Sequence, residues 1–93
     1  MTAPSITMYA TGVCPFCTQA ERLLRARGVQ EIIKVRVDLE PSMRHKMMQE
    51  TGRRTVPQIW IGDLHVGGYD DLVALDQAGR LAPLLSGHPE GER

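Results

Sequence analysis

The chain carries no net charge: eleven Lys+Arg balance eleven Asp+Glu over 93 residues, which gives nucleic acid or an anionic membrane no overall field to follow. Long apolar runs are also missing. Nothing approaches the roughly 20 residues a membrane span needs, and Met1 to Gly12 lacks the basic start and apolar stretch of a secretory signal, so the expected address is the cytoplasm. There is no internal repeat, no Gly/Ser or Pro-rich linker before Ser86, and no room for a second domain. Cysteine is scarce, with Cys14 and Cys17 alone. A bridge between neighbours so close closes too short a loop to constrain the unfolded chain, and a stabilising framework needs more cysteines and an oxidising compartment. The pair therefore reads as reactive or metal-binding rather than as a staple.

What is present fits one small soluble domain with a modest core: 42% of residues are apolar and 24% charged. The charges are segregated. Residues 22 to 54 hold nine of the eleven basic residues and four acids, whereas residues 55 to 93 hold two basic residues and six acids, so one side can attract small anions.

The apolar period changes along the chain. Ile6 to Tyr9 is a short β-prone run stopped by Thr11-Gly12. From Pro15 the spacing turns helical, with Ala20, Leu23 and Leu24 on one face and Gly28 at the C-terminal stop. Ile32 to Val37 reads as a second strand. Pro41 fits a first helical position, and Met43, Met47 and Met48 line the apolar side of a helix ending near Gly52. Gln58 to Ile61, a Gly62-Asp63 turn and Leu64 to Val66 form a tight hairpin in which Trp60 is half-buried packing. Asp70 to Ala78 is a last helix with Gly79 behind it, and Leu81 to Leu85 extends it. The order βαβ followed by αββα implies an α/β fold, a four-stranded mixed sheet flanked by helices. From residue 87 the chain reads as a polar tail.

Cys14 falls where the first strand has ended and Pro15 opens the helix, which makes it the expected N-cap. Its sulfur then faces unpaired backbone N–H groups and the positive end of the helix dipole, and both favour thiolate over thiol. A thiol of pKa ~8.5 is about 3% ionised at pH 7, and one of pKa ~5.5 about 97%, a thirtyfold gain in nucleophile. The dipole supplies at most about one and a half of those three units, so N–H···S hydrogen bonds or a nearby cation must add the rest. Cys17 lies one helical turn on, sharing the inward face with Ala20 and Leu24, where burial keeps it a thiol. On this asymmetry Cys14 attacks and Cys17 resolves. Zinc is the rival for C-x-x-C, but a structural site wants four ligands, and His45, His65 and His88 stand alone as surface or strand residues.

Three segments carry a family resemblance. C-P-F-C at Cys14 to Cys17, T-G-R-R-T-V-P at Thr51 to Pro57 and G-G-Y-D-D at Gly67 to Asp71 are similar to the motifs of the dithiol glutaredoxins, in the same order and spacing across residues 6 to 85. The resemblance implies the thioredoxin fold over residues 1–86. It also implies a glutathione-dependent thiol–disulfide oxidoreductase that acts on disulfide-containing or glutathionylated proteins, as a monomer, with glutathione as co-substrate and no permanently bound metal or prosthetic group.

The same resemblance implies a glutathione surface made of Thr11, Phe16, Arg53, Arg54, Thr55, Val56, Pro57, Gly68, Tyr69, Asp70 and Asp71. In it Pro57 is cis, Val56 offers its backbone to the peptide, Arg53 or Arg54 takes the glycyl carboxylate, and Asp70 pairs with the γ-glutamyl ammonium. Phe16 is an exposed contact for protein clients. The family usually has Lys three residues before the first cysteine; here the residue is Thr11, and Arg53 and Arg54 are the candidates to replace its charge. Two rival functions share these motifs: a redoxin recharged by thioredoxin reductase, and a carrier whose Cys14 thiolates and glutathiones hold an iron–sulfur cluster between two chains.

Overall fold

The computed structural model describes residues 4–87. Its elements are β1 (Ile6–Ala10), α1 (Pro15–Ala26), β2 (Ile33–Arg36), α2 (Pro41–Thr51), β3 (Gln58–Ile61), β4 (Leu64–Gly67), α3 (Tyr69–Gln77) and α4 (Leu81–Leu85). The sheet has four strands in the order β2-β1-β3-β4. β1 pairs parallel with β2, Ala10 opposite Arg36, and antiparallel with β3, Met8 opposite Ile59. β4 pairs antiparallel with β3, the register slipping between Ile59 and Trp60. This is the mixed sheet expected from the order of periods, and its arrangement is the thioredoxin fold.

Side chains alternate across a strand, so the two faces of β1 and β3 collect different partners. Ile6, Met8 and Ala10 of β1 and Ile59 and Ile61 of β3 meet Cys17, Ala20 and Leu24 of α1, Leu72 of α3, and Leu81 and Leu84 of α4. On the opposite face Tyr9 and Val37 enclose Met47, with Met43, Met48 and Trp60 packed around them. The methionine stripe is therefore core filling. The Tyr9 and Trp60 rings lie 5.0 Å apart, and Trp60 also packs against His65 at 4.7 Å. β1 is thus covered on both sides, which fixes the direction in which it delivers the chain to α1.

Both ends of α1 are as expected, with Pro15 in its first turn and Gly28 at φ +99° just past its last residue. Leu81 to Leu85 corrects the sequence reading. It does not continue α3, because Gly79 adopts φ +74°, its N–H donates to Asp76 O at 3.0 Å, and the Arg80 N–H donates to Leu75 O at 3.0 Å. This double closure satisfies the last carbonyls of α3 and starts α4 as a separate turn on the same core. β2 is two residues shorter than expected, and α3 begins at Tyr69 rather than Asp70. Residues 88–93, most of the expected tail together with His88, lie outside the described residues.

Leu24 has no exposed surface and belongs to the core cluster that α1 shares with β1, β3, α3 and α4. Truncating it to Ala removes a fully buried isobutyl group and is expected to lower stability by about 2–5 kcal/mol. Urea unfolding followed by circular dichroism measures this, and a loss under about 1 kcal/mol would contradict the packing described.

Candidate functional site

Cys14 is the N-cap of α1, with extended backbone at φ −151° and ψ 95°. The Cys17 N–H donates to its sulfur at 3.1 Å, and the Thr18 N–H donates to its carbonyl at 3.1 Å. A helix start leaves such N–H groups without backbone partners, and here the cysteine sulfur takes one of them. No acidic side chain lies in the first turn of α1, so nothing there repels negative charge at sulfur. Cys17 is buried beside Ala20 and Leu24, and Cys14 is half-exposed. The two are joined as a disulfide with their Cα atoms 5.2 Å apart, so this is the oxidised form.

Two further segments converge on Cys14. The Val56–Pro57 peptide is cis, and the Val56 carbonyl oxygen lies 3.9 Å from the Cys14 sulfur. Pro57 is buried; Gln58 behind it is also fully buried and donates through Nε2 to Thr55 O at 3.0 Å. The Gln58 Oε1 is left as an acceptor 2.8 Å from His65 Nε2, which requires the imidazole to carry its proton there. Burial, with the Arg53 charge behind it, pushes His65 below the usual imidazole value, which keeps that neutral tautomer. His65 is thus a structural strand residue, and it braces the Thr55–Pro57 segment through Gln58.

The third segment is the start of α3. Gly68 is its N-cap, and the Gly68 N–H donates to Asp71 Oδ2 at 2.8 Å. The same oxygen accepts from Arg53 Nη1 at 2.8 Å. Arg53 and then the Gly68 N–H hold the Asp71 carboxyl below the usual carboxylate range. Tyr69 stacks on Phe16 with ring centroids 6.0 Å apart, joining the first turns of α3 and α1, while Phe16 keeps 56% of its surface exposed. Asp70 is exposed and forms no ion pair among the described residues. Arg54 and Thr55 are exposed on the loop before β3, and Arg44 donates to the Arg54 carbonyl at 3.1 Å.

Of the residues singled out from the sequence, Cys17 and Val56 meet the Cys14 sulfur directly, Gly68 lies against the Pro57 carbonyl, and Phe16 meets Tyr69. Arg53 and Asp71 engage each other. Thr11 donates its hydroxyl to Val13 O at 3.3 Å and lines a cavity of about 180 Å³ that also touches Cys14 and Cys17. The cations on that cavity are Lys34 and Arg36 of β2, not Arg53 or Arg54. Sequence reading missed both, although their alternation on a strand parallel to β1 is the signal that would have found them. A larger cleft of about 470 Å³ lies at the other end of the sheet, lined by residues such as Pro4, Gly28 and Leu85, and contains no thiol.

A dithiol straddling the first turn of a helix, on a sheet of this order, defines a thiol–disulfide oxidoreductase of the thioredoxin fold. The comparisons narrow the class. Residues 6–66 match the Glutaredoxin family model. A glutaredoxin of Neisseria meningitidis serogroup A is 50% identical over 82 residues, covering 88% of this chain and 96% of that protein. The solution structure of glutaredoxin from Brucella melitensis superposes with a TM-score of 0.81 at 38% identity, covering 92% of each chain. The crystal structure of a buckwheat glutaredoxin–glutathione complex gives a TM-score of 0.83 at 26% identity, covering 90% of this chain and 78% of that one. The chain belongs to the glutaredoxin family.

The Arg53–Asp71 pair makes stability depend on acid. Because the folded-state pKa of Asp71 is lowered, its contribution is complete above the unfolded carboxylate pKa of about 4 and is lost as pH falls through the folded value. Asp71→Asn is expected to cost no more than about 1 kcal/mol at pH 7, since both partners are roughly half exposed. The difference from wild type should shrink as pH drops below about 4. Thermal unfolding of both proteins between pH 7 and pH 3 checks the trend, and a gap that widens in acid would contradict it.

Proposed function

We propose that this protein uses glutathione to reduce glutathionylated proteins and protein disulfides, with Cys14 as the attacking thiolate and Cys17 as the resolving thiol. The observation that carries the reading is the Cys17 N–H pointing at the Cys14 sulfur at 3.1 Å on a helix start free of acidic side chains. Hydrogen bonding to the charged form and the helix dipole both stabilise thiolate at Cys14, whereas burial disfavours it at Cys17. A cytoplasmic monomer is the matching setting, since a reducing compartment keeps the dithiol available.

With a glutathionylated protein, the Cys14 thiolate attacks the glutathione sulfur. The protein–sulfur bond breaks, the protein leaves as a thiolate that takes a proton from water, and Cys14 is left in a mixed disulfide with glutathione. A second glutathione thiolate then attacks the bound glutathione sulfur, releasing glutathione disulfide and restoring the Cys14 thiolate. With a protein disulfide, Cys14 forms the mixed disulfide with one client cysteine and frees the other. Cys17 then gives up its proton and attacks the Cys14 sulfur, releasing the second client thiolate and forming the Cys14–Cys17 bond found here. Two glutathiones reduce that bond.

The surface around Cys14 suits this co-substrate. Glutathione is an extended peptide, and the Val56 backbone beside Cys14 can pair with it as one strand pairs with another. Beyond Val56, the Gly68–Asp70 turn offers the N-terminus of α3 to a carboxylate, and the exposed Asp70 carboxylate can meet an ammonium. Arg54 and the outer face of Arg53 are placed on the loop that leads to Val56, where the glycyl carboxylate would lie. Thr11, Phe16, Thr55, Pro57, Tyr69 and Asp71 complete the proposed surface, Phe16 also facing client proteins. The buckwheat relative with 26% identity was crystallised with glutathione, which supports the same ligand here.

Two variants separate the roles. Cys14→Ser is expected to lose turnover of both a glutathione mixed disulfide and a protein disulfide. Cys17→Ser should keep the first, because glutathione itself resolves that intermediate, and lose most of the second. Assays of each substrate with glutathione as the reductant test this, and full turnover by Cys14→Ser would falsify the assignment.

A further inference from the structure

The loop that presents Cys14 has little burial to hold it. Val13 is 93% exposed and Gly12 has no side chain, so the segment between β1 and α1 cannot be fixed by packing. The backbone ladder that ties β1 to β2 ends with the Val37 N–H donating to Ala10 O at 3.0 Å, four residues before Cys14. Side chains continue the tie. The Gly12 N–H donates to Asp38 Oδ2 at 3.1 Å. Asp38 is held in turn by Arg36, whose Nε donates to Oδ1 at 2.8 Å and whose Nη2 donates to Oδ2 at 2.7 Å. The guanidinium lies so close over the loop that a Cβ added at Gly12 would come within 2.5 Å of Arg36 Nη2.

We propose that Asp38, oriented by the two-pronged grip of Arg36, is a positioning residue for Cys14: it fixes the Gly12 amide and so aims the loop that sets the sulfur on the first turn of α1. This inference rests on the reading of Cys14 as the attacking thiolate. Arg36 first, and the Gly12 N–H after it, hold the Asp38 carboxyl well below the usual carboxylate range, so the clamp stays ionised throughout the working pH range. The other charged groups on the cavity are Glu21 of α1 and Lys34 of β2, which pair with each other at 2.6 Å. Glu21 also accepts from Arg25 at 2.9 Å.

Positioning and simple electrostatics make opposite predictions. If Asp38 acts only as a nearby negative charge, removing it leaves Arg36 unneutralised and makes the Cys14 thiolate easier to form. If Asp38 aims the loop, removing it loosens the Cys17 N–H···S contact and makes the thiolate harder to form. The test is the rate of Cys14 alkylation by iodoacetamide against pH, in the full chain carrying Cys17→Ser. Asp38→Ala is expected to slow alkylation about threefold near pH 5, corresponding to a Cys14 pKa about half a unit higher. Asp38→Asn, which still offers an oxygen to the Gly12 N–H, should recover most of that loss. Asp38→Glu keeps the charge and displaces the carboxylate, so it should move the profile in the same direction as alanine, and it decides the matter if the alanine variant does not fold. An unchanged or faster rate in Asp38→Ala, or equal behaviour of the Asn and Ala variants, overturns the clamp while leaving the Cys14 reading intact. A Cys14 that titrates near ~8.5 with Asp38 in place overturns that reading and the clamp with it.

Discussion

A cysteine sulfur at the start of α1 accepts the backbone N–H one turn ahead, and the thiolate chemistry proposed for Cys14 depends on that contact. It requires Cys14 to be extended and Cys17 to be helical, so strand and helix must meet within a few residues. β1 makes this possible because apolar side chains cover it on both faces, and it therefore has one position and one direction. Proline then opens the helix without leaving an unmet donor of its own. The remaining elements either cover β1 or bring a loop to its C-terminal end. The Val56 carbonyl and the head of α3 arrive on one side of the sulfur, and the charged end of β2 on the other.

The two sides of the reactive end are held differently. Toward β3 the support is buried: Pro57 and Gln58 are inside, and His65 closes the network as a neutral donor. Toward β2 the support is polar and open to water, built from Arg36, Asp38 and a backbone amide. An extended ligand needs a firm edge to pair with, which suits the buried side. A loop that must carry a sulfur first to its own neighbour and then to another molecule suits a polar tie.

How much was legible in advance follows the range of the interactions. Pro15, Gly28, Pro41 and Gly52 mark helix ends through their own backbone constraints, so those boundaries could be read locally. Cys17 could be placed inward because Ala20 and Leu24 share its helical face. The separation of α4 from α3 was not legible. Gly79 signals a stop, but the apolar spacing of Leu81 and Leu84 resumes at once, and only the closure around Leu75 and Asp76 shows a new helix. The cations were harder still. Arg53 looks available on a loop until Asp71, eighteen residues later, takes it, and Arg36 and Asp38 look like an ordinary charged strand end until parallel pairing sets them against a loop twenty-six residues earlier.

Strand β2 stands at the outer margin of the sheet, with backbone donors and acceptors on its far side that no strand among the described residues uses. Ile33 leaves 55% of its surface exposed there, which by itself would invite another chain to add a strand. Lys34 and Arg36 alternate along the same few residues, Lys34 paired with Glu21 of α1 and Arg36 with Asp38 in the turn that follows β2. A foreign strand docking on this margin would have to displace or bury those charges. Strand addition at this margin therefore carries an electrostatic cost, set by the same basic residues that border the Cys14–Cys17 pair.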